Sequence, residues 1–173
     1  MVTDLSIIIP SYNEEENINE LYERIIKTLS EKKINDYEII FIENGSTDNS
    51  LSILRNLNIL NNKVKIVSLS RNFGYQNAIL AGLDFSKKNH ACILDGDIQD
   101  PPEIIKDFVL KANEGFDVVY GIRKKREATL FKKIKYKIFY FFYQKLSEIS
   151  VPKEVGEFCL INRKVIDHLI KLK

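Results

Sequence analysis

Cysteine is scarce: with only Cys92, inside an apolar run, and Cys159, far from it, neither a disulfide framework nor a zinc-type ligand spacing can be drawn. Both read as small buried hydrophobes, and a reducing cytosol is the expected compartment. Histidine is equally sparse, and His90 and His168 have no metal-spaced partner and receive no role. Long apolar runs are missing too. The uninterrupted apolar and aromatic stretch at 138–143 is far below the roughly 18 residues that a membrane-crossing helix requires. Nothing before Asp4 supplies the basic region or cleavage site of a signal peptide, so none is expected. No internal repeat, no low-complexity linker and no composition break precedes residue 123.

What is present reads as an ordinary globular composition. Apolar residues at 45% and charged residues at 29% exclude disorder, and 173 residues suffice for one domain with a sizeable core but not for two ordinary ones. The net charge of +2 carries little information, whereas its distribution does: residues 123–145 hold nine lysines and arginines against one acid, Glu127.

Patterning predicts strands at 5–10, 37–43, 64–69, 91–95 and 117–120, with helices at 14–33, 48–60, 75–88 and 102–113 between them. A further strand is expected at 158–161 and a helix after Asn162. Strand–helix alternation with continuous β-branched strands implies a parallel sheet covered on both faces. Ligands of such sheets sit outside the carboxyl ends of the strands. Five polar clusters fall on that edge: Ser11 to Glu14, Glu43 to Ser46, Ser70 to Gly74, Asp95 to Asp97, and Gly121 to Arg123. Each has an ordinary explanation alone, with Asn13 and Asp48 as helix caps, Asn44-Gly45 as a turn, Gly74 as a loop and Pro101-Pro102 as a helix start. Five on one edge point instead to a cleft.

The fourth strand carries the sharpest chemistry. The apolar Cys92-Ile93-Leu94 stops at Asp95-Gly96-Asp97-Ile98-Gln99-Asp100, and Pro101-Pro102 follow. Carboxylates two apart in an extended strand point the same way, and Gly96 allows close backbone approach. Their hard oxygens suit Mg2+ or Mn2+, and Mg2+ characteristically combines one or two carboxylates with substrate phosphates. A metal–diphosphate site is the first reading. A phosphatase of the haloacid-dehalogenase type would need its Asp on the first strand, followed by a small hydroxyl residue. An EF-hand would need glycine where Asp100 stands.

Taken together, Ile9-Pro10-Ser11-Tyr12-Asn13-Glu14-Glu15, Glu43-Asn44-Gly45-Ser46-Thr47-Asp48, Ser70-Arg71-Asn72-Phe73-Gly74 and Asp95-Gly96-Asp97-Ile98-Gln99-Asp100-Pro101-Pro102 resemble the family 2 inverting glycosyltransferases. Within them the chain is most similar to the polyprenyl-phosphate glycosyltransferases, in order from residue 5 to 163. The resemblance implies an α/β GT-A (Rossmann-like) fold, a mostly parallel central sheet with helices on both faces. Residues 1–122 would form the nucleotide-sugar-binding core, and 123–173 the acceptor-side, basic amphipathic part of the same domain. Pro10, Tyr12, Glu14, Glu43 and Asn44 would line the nucleoside pocket, with Arg71, Gly74 and Asp95 completing the donor site. Asp95, Asp97 and Gln99 would hold Mg2+ or Mn2+, Arg123 or Arg126 would meet the diphosphate, and Asp97 and Glu157 would be catalytic. The string from Ser70 to Gln76 is more like bacterial transferases that use UDP-sugars. Two departures stand out: many relatives carry two aspartates at Glu43-Asn44, and relatives often have Asp as the proposed base where this chain has Glu157.

The implied reaction is direct displacement at the anomeric carbon. A phosphate monoester, with a second pKa near about 6, is already an anionic nucleophile at neutral pH, whereas a sugar hydroxyl needs a positioned base. Lipid phosphate is the expected acceptor; a glycan or glycoprotein hydroxyl and a degenerate sugar-nucleotide-binding module remain alternatives. Glu157 accordingly reads as base, acceptor guide or surface acid.

From 129 to 149, Leu130, Ile134, Ile138, Phe141 or Phe142 and Leu146 recur at helical spacing beside Lys132, Lys133, Lys135 and Lys137. Such a helix suits a membrane interface, a core position or a subunit contact, the last allowing a homo-oligomer. No nucleic-acid motif accompanies it, so nucleic acid is not an expected partner. Related lipid-phosphate transferases usually continue into membrane helices, so a site at or anchored to the cytoplasmic membrane face is expected.

Overall fold

A computed structural model of the chain describes residues 2–122 and 155–172. Its elements are β1 (Asp4–Ser11), α1 (Ile18–Glu31), β2 (Asp36–Glu43), α2 (Ser50–Leu60), β3 (Val64–Ser68), α3 (Tyr75–Phe85) and β4 (His90–Ile93). A 3-10 turn (Pro102–Ile104) runs into α4 (Ile105–Asn113), and β5 (Val118–Ile122), β6 (Val155–Asn162) and α5 (Arg163–Ile170) follow. The strands form one sheet in the order β3-β2-β1-β4-β6-β5.

Alternating side chains explain why the runs Ile7 to Ile9 of β1 and Ile39 to Ile42 of β2 are apolar without interruption. Ile7, Ile9, Ile39 and Phe41 enter one core layer with Leu21, Ile25 and Leu29 of α1, while Ile8, Ile40 and Ile42 enter a second with Ala78 and Leu83 of α3 and Ile166 of α5. Each fully buried aliphatic chain contributes about 1.5–3 kcal/mol, so both layers are needed to hold the helices on. On the second face α3 lies very close to the sheet. A Cβ on Gly82 would sit 2.4 Å from Ile8 Cγ2.

β1 pairs in parallel with β2 and β4, and β2 with β3. β6 is antiparallel to β4, with Ile93 opposite Cys159, so the sheet is mostly rather than wholly parallel. The Asn162 amide donates to the Asp117 carbonyl at 3.0 Å, joining the end of β6 to the start of β5. Element ends also shift from the sequence reading. Residues 14–17 make a turn, in which the Asn17 amide donates to the Glu14 carbonyl at 3.0 Å, and α1 begins only at Ile18. α3 stops at Phe85 because Ser86 turns extended, and the Arg163 guanidinium donates to the Ser86 carbonyl at 3.1 Å.

Two compact units emerge: Met1–Tyr120 with Glu157–Lys173, and Gly121–Gly156. Within the second, the described residues are the ends of β5 and β6. Arg123, Arg126 and the segment 129–149 lie outside the described residues, as does the side chain of Glu157, whose backbone belongs to β6. Among the described residues no helix is long and apolar enough to cross a membrane.

Candidate active site

The loops after β1 and β2 are stitched to each other by short polar side chains. Asn13, left-handed at φ 56, accepts from the Thr47 amide at 2.8 Å and donates its own amide to Ser46 Oγ at 3.1 Å. Asparagine tolerates that conformation better than most residues. The Glu14 amide donates to Ser50 Oγ at 2.9 Å and the Glu15 amide to Asp48 Oδ2 at 3.1 Å. Burial alone would raise the Asp48 carboxyl, but donors on Ser50 and Glu15 hold it below its ordinary value. Gly45 brings in the third loop: at φ 75, a Cβ there would lie 2.5 Å from the Arg71 backbone carbon.

Asn44 is the hub of that third loop. Buried to 4% exposure, it donates from Nδ2 to Asn72 Oδ1 at 3.2 Å and to the Gly74 carbonyl at 3.4 Å, and accepts from the Phe73 amide at 3.0 Å. Its neighbour Glu43 turns into the protein, accepting from the Ser46 amide and, at 3.0 Å, from Ser68 Oγ. Arg71 stacks 4.5 Å over the Phe73 ring.

Between these loops and the end of β4 lies a cleft of about 470 Å³. It is lined by Pro10, Ser11, Tyr12, Glu14, Asn44, Asn72, Gly74, Tyr75, Asp95, Gly96 and Asp97. Gly96 is tucked under β1, where a Cβ would approach the Pro10 carbonyl to 3.0 Å. The turn that follows is strained, with β-branched Ile98 at φ 60, a conformation that costs on the order of 1–3 kcal/mol. The Gln99 amide closes it by donating to Asp97 Oδ1 at 3.1 Å. Tyr75 donates its hydroxyl to Asp95 Oδ1.

Negative charge accumulates in this cleft. Burial above all, then the Asp97, Asp48 and Asp95 carboxylates, push the Glu14 carboxyl above its ordinary value, against the Asn17 amide donating to it at 2.7 Å. Among the described residues no three His, Cys, Asp or Glu side chains are arranged to hold a metal by themselves. Asp95 and Asp97 together supply two hard carboxylates, which fits a divalent cation whose remaining positions come from phosphate and water.

Of the residues expected from sequence, Pro10, Tyr12, Glu14, Asn44, Gly74, Asp95 and Asp97 converge on the cleft. Glu43, Arg71 and Gln99 are not among its lining residues. Ser11, Asn72 and Tyr75 also line it; they stand in the strings read from the sequence but receive no site role there. Their position next to the selected ones was the available signal, and Tyr75 follows Gly74 directly.

The architecture is that of the GT-A glycosyltransferases. A mannosyltransferase from Pyrobaculum calidifontis, solved in complex with GDP-Man and Mn2+, superposes with a TM-score of 0.66 at 19% identity, over 97% of this chain and 46% of its own. Residues 6–170 match the family described as Glycosyl transferase family 2. An uncharacterized glycosyltransferase of Bacillus subtilis, YkcC, is 43% identical over 169 residues, 97% of this chain and 52% of the relative. The undecaprenyl-phosphate 4-deoxy-4-formamido-L-arabinose transferase of Proteus mirabilis is 40% identical over 133 residues, 76% of this chain and 40% of the relative. The chain belongs to glycosyl transferase family 2, the family expected from its motifs. It spans about half the length of the curated relatives it matches.

Proposed function

We propose that this domain binds a nucleotide-sugar, a UDP-sugar first of all, in the cleft at the ends of β1, β2 and β4, and that the whole protein transfers the sugar with inversion to a polyprenyl phosphate at the cytoplasmic membrane face. The observation that carries the reading is the convergence of Asp95 and Asp97 with Tyr12, Glu14 and Asn44 on one cleft. The Proteus mirabilis relative, named for an undecaprenyl-phosphate acceptor, supports the lipid phosphate, and the basic aromatic run 129–149 supports a membrane surface.

Asp95 and Asp97, with Gln99 in the same turn, would hold a divalent cation, Mg2+ or Mn2+, whose chemistry is to neutralise charge on the departing diphosphate. Tyr12 and Pro10 would flank the nucleoside, and Arg123 or Arg126 would meet the diphosphate. The acceptor phosphate is already anionic and attacks the anomeric carbon without needing a base, which leaves Glu157 to orient it.

The test is sugar transfer by the full-length protein from UDP-, GDP- and dTDP-sugars to undecaprenyl phosphate in liposomes or to a soluble glycan, with Mn2+ or with chelator. Transfer from a UDP-sugar to the lipid, abolished by chelator and lowered about a hundred- to a thousandfold by Asp95→Ala, is expected. Undiminished turnover of Asp95→Ala in Mn2+ would overturn the site assignment, and transfer to the glycan alone would overturn the acceptor.

A further inference from the structure

Tyr75 lies in the Ser70 to Gln76 string but receives no role from the sequence, yet its hydroxyl donates to Oδ1 of Asp95 in the cleft that both side chains line. The start of α3, which carries Tyr75, is restrained from several sides. Gly74 turns the chain at φ 85, its amide donates to Asn72 Oδ1 at 2.8 Å, and its carbonyl accepts from Asn44 Nδ2 at 3.4 Å and from the Ala78 amide at 3.2 Å. The ring itself packs against the core layer between α3 and the sheet. Backbone and ring are therefore both anchored, and the hydroxyl is a donor held in place before any ligand arrives.

We propose that Tyr75 is a positioning residue for the diphosphate end of the donor: by holding Oδ1 of Asp95 it fixes the orientation in which that carboxylate meets a divalent cation. This rests on the reading of Asp95 as a cation ligand. Carboxylates that bind metals are commonly oriented by a hydrogen-bonding partner behind them, and loss of that partner typically weakens metal binding about ten- to a hundredfold. A phenol suits the task because, as a neutral donor, it orients the carboxylate without cancelling the charge that attracts the cation.

The experiment titrates Mn2+ into the full-length protein at fixed UDP, following binding by calorimetry, for the wild type, Tyr75→Phe and Asp95→Asn, with melting temperatures measured in EDTA. Tyr75→Phe is expected to raise the half-saturating Mn2+ concentration about ten- to a hundredfold while leaving the metal-free melting temperature unchanged. Asp95→Asn is expected to remove the Mn2+ dependence. If Asp95→Asn loses Mn2+ but Tyr75→Phe binds it like the wild type, the positioning role is overturned and the cation site stands. If neither substitution alters Mn2+ binding, the cation reading falls and takes the positioning role with it. A Tyr75→Phe protein that melts lower in EDTA, yet binds Mn2+ normally below its transition, would show the bond to be structural and overturn the proposal.

Discussion

Asn44 shows what a single amide does that a carboxylate cannot. Its Nδ2 serves two acceptors, Asn72 Oδ1 and the Gly74 carbonyl, while its Oδ1 takes the Phe73 amide, so the group is read in both senses by one loop. An aspartate, the residue that many relatives were expected to carry here, could keep the Phe73 bond but would face two oxygens with no proton to offer. Asn44→Asp should therefore destabilise the fold by about 1–3 kcal/mol, the cost of burying unsatisfied or mismatched polar groups, and should weaken UDP binding through the displaced loop. Urea denaturation and UDP titration measure the two effects. A variant with wild-type values in both would remove Asn44 from the role of clamp.

Elements also meet through ion pairs, and one of them is pH-sensitive. The Arg24 guanidinium of α1 donates through Nε and Nη2 to Glu103 in the Pro102–Ile104 turn, at 2.9 and 2.8 Å. That pairing lowers the Glu103 carboxyl from 4.5 to about 2. Because the folded-state value is depressed, the contribution is complete above pH 4.5 and is lost as pH falls toward about 2. Glu103 is 45% exposed, so solvent screening keeps the effect below about 1 kcal/mol. Glu103→Gln should melt slightly below the wild type at neutral pH, and the gap should close as the solution is acidified through that window. A gap that persists unchanged at the acid end would mean that the pair is not its source. At this same scale the sequence was a good guide to which elements form, because buried strands and amphipathic helices repeat with their own periods. Their ends were less legible: the α1 start depends on a left-handed Asn13 held by Ser46 and Thr47, and the α3 stop on Arg163, so each boundary is set by residues distant in the chain.

For the molecule as a whole, a ligand bound in the cleft at the parallel strand ends would couple its binding to folding. A ligand that binds only the folded state stabilises it by about 2.7 kcal/mol at a hundred times its dissociation constant. UDP with Mn2+ should therefore raise the melting temperature by more than either alone, since the diphosphate and the Asp95–Asp97 pair would share the ion. Differential scanning fluorimetry with and without EDTA checks this, and equal shifts for UDP in Mn2+ and in EDTA would argue that the nucleotide binds without metal.

From the sequence alone came the parallel α/β core, the edge on which the polar clusters gather, the Asp95-Gly96-Asp97 turn and the family. These are properties of short segments read with the rule that crossovers bring parallel strand ends to one edge, so no distant contact is needed to see them. Tertiary structure decided where individual side chains face: Glu43 into the protein, Asn44 onto the 72–74 loop, and Tyr75 onto Asp95. It also decided that β6 enters antiparallel beside β4. The physical reason is the same in each case. The partners stand 20 residues apart for Tyr75 and Asp95 and 28 for Asn44 and Asn72, and a hydrogen bond between them leaves no local pattern in the chain until folding brings the two groups within reach.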